Sequence, residues 1–209
     1  MKNFLPADFF DYSDFGFKDI FVNINFVWEV LSKLSDFIAL KLKGEFKPNH
    51  KNNVFVGEGT VIEEGVMIKG PAIIGRNCFI AHGAYIRENV ILGDNVTIGH
   101  ASEIKNSIIL NNTSIAHFNY VGDSIIGKNV NFGGGALIAN FRLDGETVKV
   151  RLDGKRIDTK LIKFGAIVGD GAKIGAGAVL NPGTLLGKNC VVYPLVSVFG
   201  THQEKEIIK

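Results

Sequence analysis

The sequence predicts an all-β chain, wound as a coil with three short strands to each turn and preceded by a short helical, aromatic segment. Three observations predict it. An aliphatic residue returns at about every sixth position, a turn signature returns every 17 or 18 residues, and nine of the sixteen phenylalanines lie in residues 1–46.

The six-residue series runs from Val56 through Ile62, Ile68, Ile74, Ile80, Ile86, Leu92, Ile98 and Ile104 to Leu110. It slips by one to Ile115, continues at Val121, slips again to Ile126, and resumes at Phe132 and Ile138. After an interruption it returns as Val168, Ile174, Leu180, Leu186, Val192 and Val198. Neither a 3.6-residue helix nor a two-residue strand alternation generates such a series. One short strand and one corner per hexad does, with three sides closing a coil of about 18 residues. The segments IIGRN (73–77), ILGDN (91–95), IILNN (108–112) and IIGKN (125–129) supply corners, because Gly and Asn tolerate the positive φ of a tight turn.

Composition narrows the function classes. A chain of 209 residues with 46% hydrophobic content and 25 glycines suits one substantial core with many turns. A formal charge of +2 gives no reason to expect a nucleic acid partner. No apolar run is long enough for a membrane span, and the acidic start is unlike a signal peptide, so a cytoplasmic location is expected. Cys78 and Cys190 lack redox or metal spacing; each precedes a repeat position by two residues and reads as a small inward-facing side chain.

Domain limits follow from where the period starts and stops. Residues 1–48 read as an N-terminal helical and aromatic cap, with Val27, Val30, Leu31, Leu34, Phe37, Ile38 and Leu42 at helical spacing. The expected place for this amphipathic helix is over the open first coil. Residues 49–200 form the coil, and 201–209 a C-terminal tail. Within the coil, residues 141–163 break the period and carry seven basic against four acidic residues. VKV-RLDG-KRI reads there as a hairpin turning at Asp153-Gly154, within reach of a phosphorylated ligand or a neighbouring subunit.

Stacking turns sequence spacing into columns about 4.8 Å apart. His82, His100 and His117 each follow a repeat aliphatic by two residues and so share one column on three consecutive coils. Three imidazoles can bind zinc, but the outer two of a straight column lie about 9.6 Å apart, too far to share one ion. The other use of such a histidine is as a general base in acyl transfer from a thioester to an amine, for which neutral imidazole is suited at cytoplasmic pH. Backbone N–H groups of Gly133-Gly134-Gly135 could hold the oxyanion or cofactor.

The hexads over residues 52–200 resemble the hexapeptide-repeat family, whose fold is a left-handed parallel β-helix of triangular cross-section. AHFNYVGDSIIGKNVNFGGGALIAN (116–140) is similar to the acetyltransferase domain of bacterial bifunctional N-acetylglucosamine-1-phosphate uridyltransferase/glucosamine-1-phosphate acetyltransferase. ANFRLDG, VKV, GKRIDT and GAIVGD resemble a related group of sugar-1-phosphate nucleotidyltransferase-like proteins. The resemblance implies His117 as catalytic base and Tyr120, Asn131 and Asn140 as sugar-phosphate and amino-sugar contacts. It implies Arg87 and Lys105 as phosphate ligands, in one column with the base. Gly134, Lys149 and Lys163 are the expected cofactor contacts. The chain departs from the family at Phe141-Arg142-Leu143, where the bifunctional enzymes continue with Y-D-G, and at Gly134, where they carry alanine.

The expected activity is therefore acetyl-CoA-dependent N-acetylation of a hexosamine 1-phosphate, glucosamine 1-phosphate favoured, as in UDP-GlcNAc biosynthesis. A homotrimer without bound metal, nucleic acid or membrane is the expected form. No glycine-rich nucleotide-binding start precedes the helix, so only the acetyl-transfer step is expected, with a separate nucleotidyltransferase as a possible partner. Two other readings stand beside it: a catalytically silent sugar-nucleotide-binding or regulatory subunit, and a zinc protein like the γ-class carbonic anhydrases.

Overall fold

The computed structural model describes residues 4–152 and 154–209. Its strands of two or three residues stack into three parallel sheets, the faces of a β-helix of the expected left-handed class. Face one holds eight strands from Val54–Val56 to Thr201–His202, face two eight from Val61–Ile62 to Ile207–Ile208, and face three seven from Met67–Ile68 to Ser197–Val198. The corner asparagines Asn77, Asn95, Asn112 and Asn129 have φ between 53° and 59°, the left-handed geometry for which their short polar side chains are suited.

The repeat aliphatics point inward and form one continuous core with Cys78 and Cys190. One expected member is misplaced. Ile109, not Leu110, aligns with Leu92 and Ile126 and faces the axis, so the register slips between Ile104 and Ile109. Leu110 is buried outside the prism.

A second core explains the N-terminal aromatics. On face one the residue before each inward aliphatic is also aliphatic: Ile73, Ile91, Ile108, Ile125, Ile167 and Leu185. These point outward yet are fully buried, under Phe4, Phe9, Phe10, Phe15, Trp28 and the helix Val30–Lys43. The helix is present, but it lies along the outside of face one rather than over the open first coil. That coil's Val56, Ile62 and Val66 accordingly remain only partly buried. The physical reason is area: an aliphatic sheet face is far larger than the end of one coil, and burying each isoleucine yields about 1.5–3 kcal/mol.

The segment is pinned by polar contacts at its turn. Asp11 N–H donates to Asp170 Oδ2 (2.6 Å), Asp170 N–H donates to the Phe9 carbonyl (3.0 Å), and Lys128 Nζ pairs with Asp11 (2.7 Å) and Asp14 (3.5 Å).

Two limits differ from expectation. Thr201–His202 and Ile207–Ile208 pair with preceding strands, so the coil continues past residue 200 and residues 201–209 are no separate tail. The excursion at 141–163 does contain an antiparallel hairpin, Lys149–Leu152 against Lys155–Asp158. Of its expected turn, Gly154 has φ +78°, while Asp153 lies outside the described residues. Among the described residues no helix is long and apolar enough to cross a membrane.

Candidate active site

The three histidines do occupy one corner, between faces two and three, but they are not equivalent. His82 and His100 stack with ring centroids 5.9 Å apart. Each spends Nδ1 on the carbonyl one coil below: His82 on Glu64 O at 2.6 Å, His100 on His82 O at 2.7 Å. The stack stops there. Phe118 packs edge-on against His100 at 5.3 Å, and against His117 on its other side at 5.7 Å. The three rings thus do not converge, and among the described residues no cluster of three metal-ligating groups exists.

His117 leans the other way, toward the next coil. An ideal Cβ on Gly134 would lie 2.5 Å from Nε2, so the absence of a side chain at 134 is what admits the imidazole. Neither ring nitrogen of His117 has a hydrogen-bond partner among the described residues. In the triple glycine, Gly133 N–H donates to Ile174 O (2.7 Å) and Gly135 N–H to His117 O (2.9 Å). Those two cannot serve a ligand. Gly134 N–H alone has no partner among the described residues, and it stands beside the exposed imidazole.

Asn119, which sequence reading passed over, holds this corner together. Its buried Nδ2 donates to both Gly133 O and Ala136 O at 2.8 Å, while its backbone N–H donates to Ser102 Oγ at 3.2 Å. The clue was an amide at an inward-facing position where other coils carry Ala84, Ser102, Ala136 and Ala178.

A second cluster gathers at the opposite corner of face three. Asp123 is its hub: it is buried, adopts φ 49°, and accepts Lys105 Nζ (3.2 Å) and Asn106 Nδ2 (2.9 Å), as well as Asn140 Nδ2. Asn140 Nδ2 also donates to Tyr120 Oη at 3.0 Å. Burial, followed by the charges of Asp123 and Glu103, pushes the Tyr120 hydroxyl above its ordinary pKa, so it stays protonated. Tyr120 reaches the corner by crossing Gly122, where a Cβ would lie 2.4 Å from its hydroxyl. Arg87 is one coil below Lys105 in the same column and pairs with Glu103 at 2.9 Å, which together with nearby Glu88 raises its pKa.

The sequence-predicted residues therefore divide. Tyr120, Asn140 and Lys105 meet around Asp123, with Arg87 beside them. His117 lies at the other corner of face three, ahead of the strand Tyr120–Gly122 that leads to Asp123. Arg87 and Lys105 consequently do not share a column with the base, as had been expected. Asn131 points outward from face two, beside Ser114 and Lys173. Lys149 lines a cavity under the hairpin, and Lys163 bridges to Phe141 at the root of the excursion.

Comparison with known proteins bears on both halves of the molecule. Residues 68–162 match the model of the GMPPB C-terminal domain, and residues 165–193 match the hexapeptide repeat of succinyl-transferase. A bifunctional protein GlmU of Methanococcus maripaludis strain C7 is 46% identical over 176 residues, which are 81% of this chain and 42% of the relative. Along its coil the chain is similar to hexapeptide-repeat proteins. Another GlmU, from M. maripaludis strain S2, is 40% identical over 84% of this hexapeptide-repeat chain and 44% of its own length. A bifunctional sugar-1-phosphate nucleotidylyltransferase/acetyltransferase of Sulfurisphaera tokodaii is 40% identical over 41% of the chain and 21% of that protein. The chain spans less than half the length of these curated relatives. Among solved structures, the polysialic acid O-acetyltransferase OatWY aligns over 74% of the chain and 89% of its own, at 16% identity and a TM-score of 0.43.

Proposed function

We propose that this hexapeptide-repeat protein is an acetyl-CoA-dependent N-acetyltransferase of a hexosamine 1-phosphate, glucosamine 1-phosphate favoured, with His117 as general base. The observation that carries the reading is the singularity of His117. Of three stacked-register histidines it alone keeps both nitrogens free, and it adjoins the one unpaired N–H of the triple glycine. The acetyltransferase named in the Sulfurisphaera tokodaii relative supports the same chemistry.

In the reaction the amine nitrogen attacks the thioester carbonyl carbon. A C–N bond forms, the C–S bond breaks, and the leaving thiolate takes up the proton that His117 removed from the nitrogen. Gly134 N–H is the donor for the developing oxyanion. Lys105 and Arg87 hold the phosphate, exchanging their present carboxylate partners for it in part. Tyr120, Asn131 and Asn140 orient the sugar, while Lys149 and Lys163 contact acetyl-CoA. The separation of His117 from the Asp123 cluster, at opposite corners of face three, supports a homotrimer whose site is completed by a neighbouring subunit, in the cytoplasm. A second reading, a silent sugar-nucleotide-binding partner of a nucleotidyltransferase, is favoured by the ion pairs that already occupy Arg87 and Lys105.

The test is thiol release from acetyl-CoA with glucosamine 1-phosphate, galactosamine 1-phosphate alongside, for wild type and His117→Ala. Turnover that falls about 10²–10⁴-fold in the variant is expected of a general base. No turnover by wild type with either amine leaves the silent reading.

A further inference from the structure

The excursion at 141–163 and the last coils border two adjoining cavities of different character. The first, about 470 Å³, is lined by Arg142, Lys149, Arg151 and Arg156, with no carboxylate among the described residues, and Phe199 forms part of its wall. The second, about 480 Å³, is lined by Phe141 and Leu143 among others, and shares Arg142, Pro182 and Phe199 with the first.

Two of the four cations are accounted for. Arg142 is held by Asp144, with Nε to Oδ1 at 2.8 Å, and Lys149 lies directly across the hairpin from Asp158. The other two are set against each other: Arg151 and Arg156 are cross-strand partners, and neither has a carboxylate partner among the described residues. Like charges directly opposite in an antiparallel pair repel. A guanidinium pair held in that register is relieved by a bound anion, for which two guanidinium forks are suited when it is a phosphate or diphosphate.

The neighbouring cavity adds an apolar half. Phe141, Leu143 and Phe199 are all exposed there, Leu143 completely and Phe199 by 69%. An exposed aromatic side chain next to a phosphate-sized cationic site is the arrangement on which a nucleobase stacks.

We infer that the space beneath the hairpin binds a nucleoside diphosphate group, its phosphates on Arg151 and Arg156 and its base against Phe199. That group occurs in coenzyme A, where the inference rests on the proposed acyl transfer, and in sugar nucleotides, where it does not.

The experiment measures binding of uridine 5′-diphosphate, coenzyme A and pyrophosphate to the full chain by calorimetry. It uses wild type, the double variant Arg151→Gln/Arg156→Gln, and Phe199→Ala. Wild type is expected to bind at least one nucleotide, the double variant at least about tenfold more weakly, and Phe199→Ala more weakly for nucleotides but not for pyrophosphate. The double variant relieves the repulsion, so its unliganded melting temperature stays level or rises, which separates lost binding from lost folding. Binding of coenzyme A alone identifies the acyl donor as the ligand; binding of uridine 5′-diphosphate alone identifies a sugar nucleotide; binding of both supports recognition of the shared group. No nucleotide binding, pyrophosphate binding as tight as nucleotide, or undiminished affinity in the double variant overturns the inference. Binding is read without turnover, so failure of the acetyl-transfer assay leaves this result standing.

Discussion

The imidazole of His117 occupies the space that a side chain at residue 134 would fill, with Nε2 only 2.5 Å from an ideal Cβ on Gly134. Gly134 is not in the positive-φ region, so alanine there keeps the backbone and the unpaired N–H and alters only the room available. Because the bifunctional enzymes that the chain resembles carry alanine here, the exposed imidazole is expected to turn aside from a single methyl; the larger Gly134→Leu is predicted to fold normally and to lower acetyl transfer about 10²-fold, the usual cost of a reacting group displaced by an ångström. Steady-state kinetics beside a thermal melt check this. Full activity in a folded variant would mean that the present imidazole position is not the working one.

Asp123 is the carboxylate on which the opposite corner depends. Its side chain is 5% exposed and that of Lys105 15%. Removing one member of a buried pair leaves the other charge uncompensated, at a cost of about 3–5 kcal/mol. Asp123→Ala also strips the acceptor from Asn106 and Asn140. Urea unfolding is expected to show a loss in that range, with Lys105→Met losing less because the carboxylate it strands keeps the Asn106 and Asn140 amides as donors. Equal losses in the two variants would sink the idea that Asp123 is the hub.

Acid is predicted to loosen the N-terminal segment through Asp11. The Lys128 ammonium, with Ser13, holds the Asp11 carboxyl far below the usual carboxylate range. A depressed folded pKa stabilises above the unfolded value near 4, and that contribution disappears as the pH falls toward the folded one. Asp170 acts in the opposite sense: burial raises its pKa, so it costs stability as the pH rises through the window above about 4. Trp28, the sole tryptophan and buried in this segment, reports both by fluorescence between pH 7 and 2. Asp11→Asn should flatten the transition below pH 4, and Asp170→Asn should remove the opposing change above it. Superimposable curves for wild type and Asp11→Asn would refute the coupling.

How much of this was legible depended on whether a residue acts through its spacing or through its neighbours. Inward aliphatics and corner asparagines obey a period and could be read directly, apart from the exchange of Ile109 and Leu110 where two adjacent aliphatics satisfied the pattern equally. The N-terminal helix was readable from its apolar spacing, but its destination was encoded elsewhere, in the doublets Ile73-Ile74, Ile91-Leu92, Ile125-Ile126 and Leu185-Leu186. A doublet means that both surfaces of a sheet are apolar and the outer one needs cover. His117 could be named from its motif, yet its difference from His100 comes from ring partners that no spacing records. Asn119 and Asp123 were in plain view within the same motif; their importance lies in hydrogen bonds to coils 14 to 42 residues away.

The doublets make the last prediction. If the N-terminal segment is part of one folding unit with the coil, an outward residue of face one should behave like a core residue. Ile108 sits mid-face between Ile91 and Ile125 and is fully buried beneath the segment. Ile108→Ala should cost about 2–5 kcal/mol, the range for emptying a packed aliphatic site. Thr97 points outward from the uncovered face two, partly exposed, so Thr97→Ala should stay within about 0.5 kcal/mol of wild type. Urea unfolding followed by Trp28 fluorescence and by circular dichroism reads both parts of the molecule at once. Coincident transitions, shifted together by Ile108→Ala, are expected of a segment whose burial is shared with the coil. If Ile108→Ala instead moved only the fluorescence transition, the segment would be a separable cover, and the outer isoleucines would serve to attach it rather than to stabilise the β-helix.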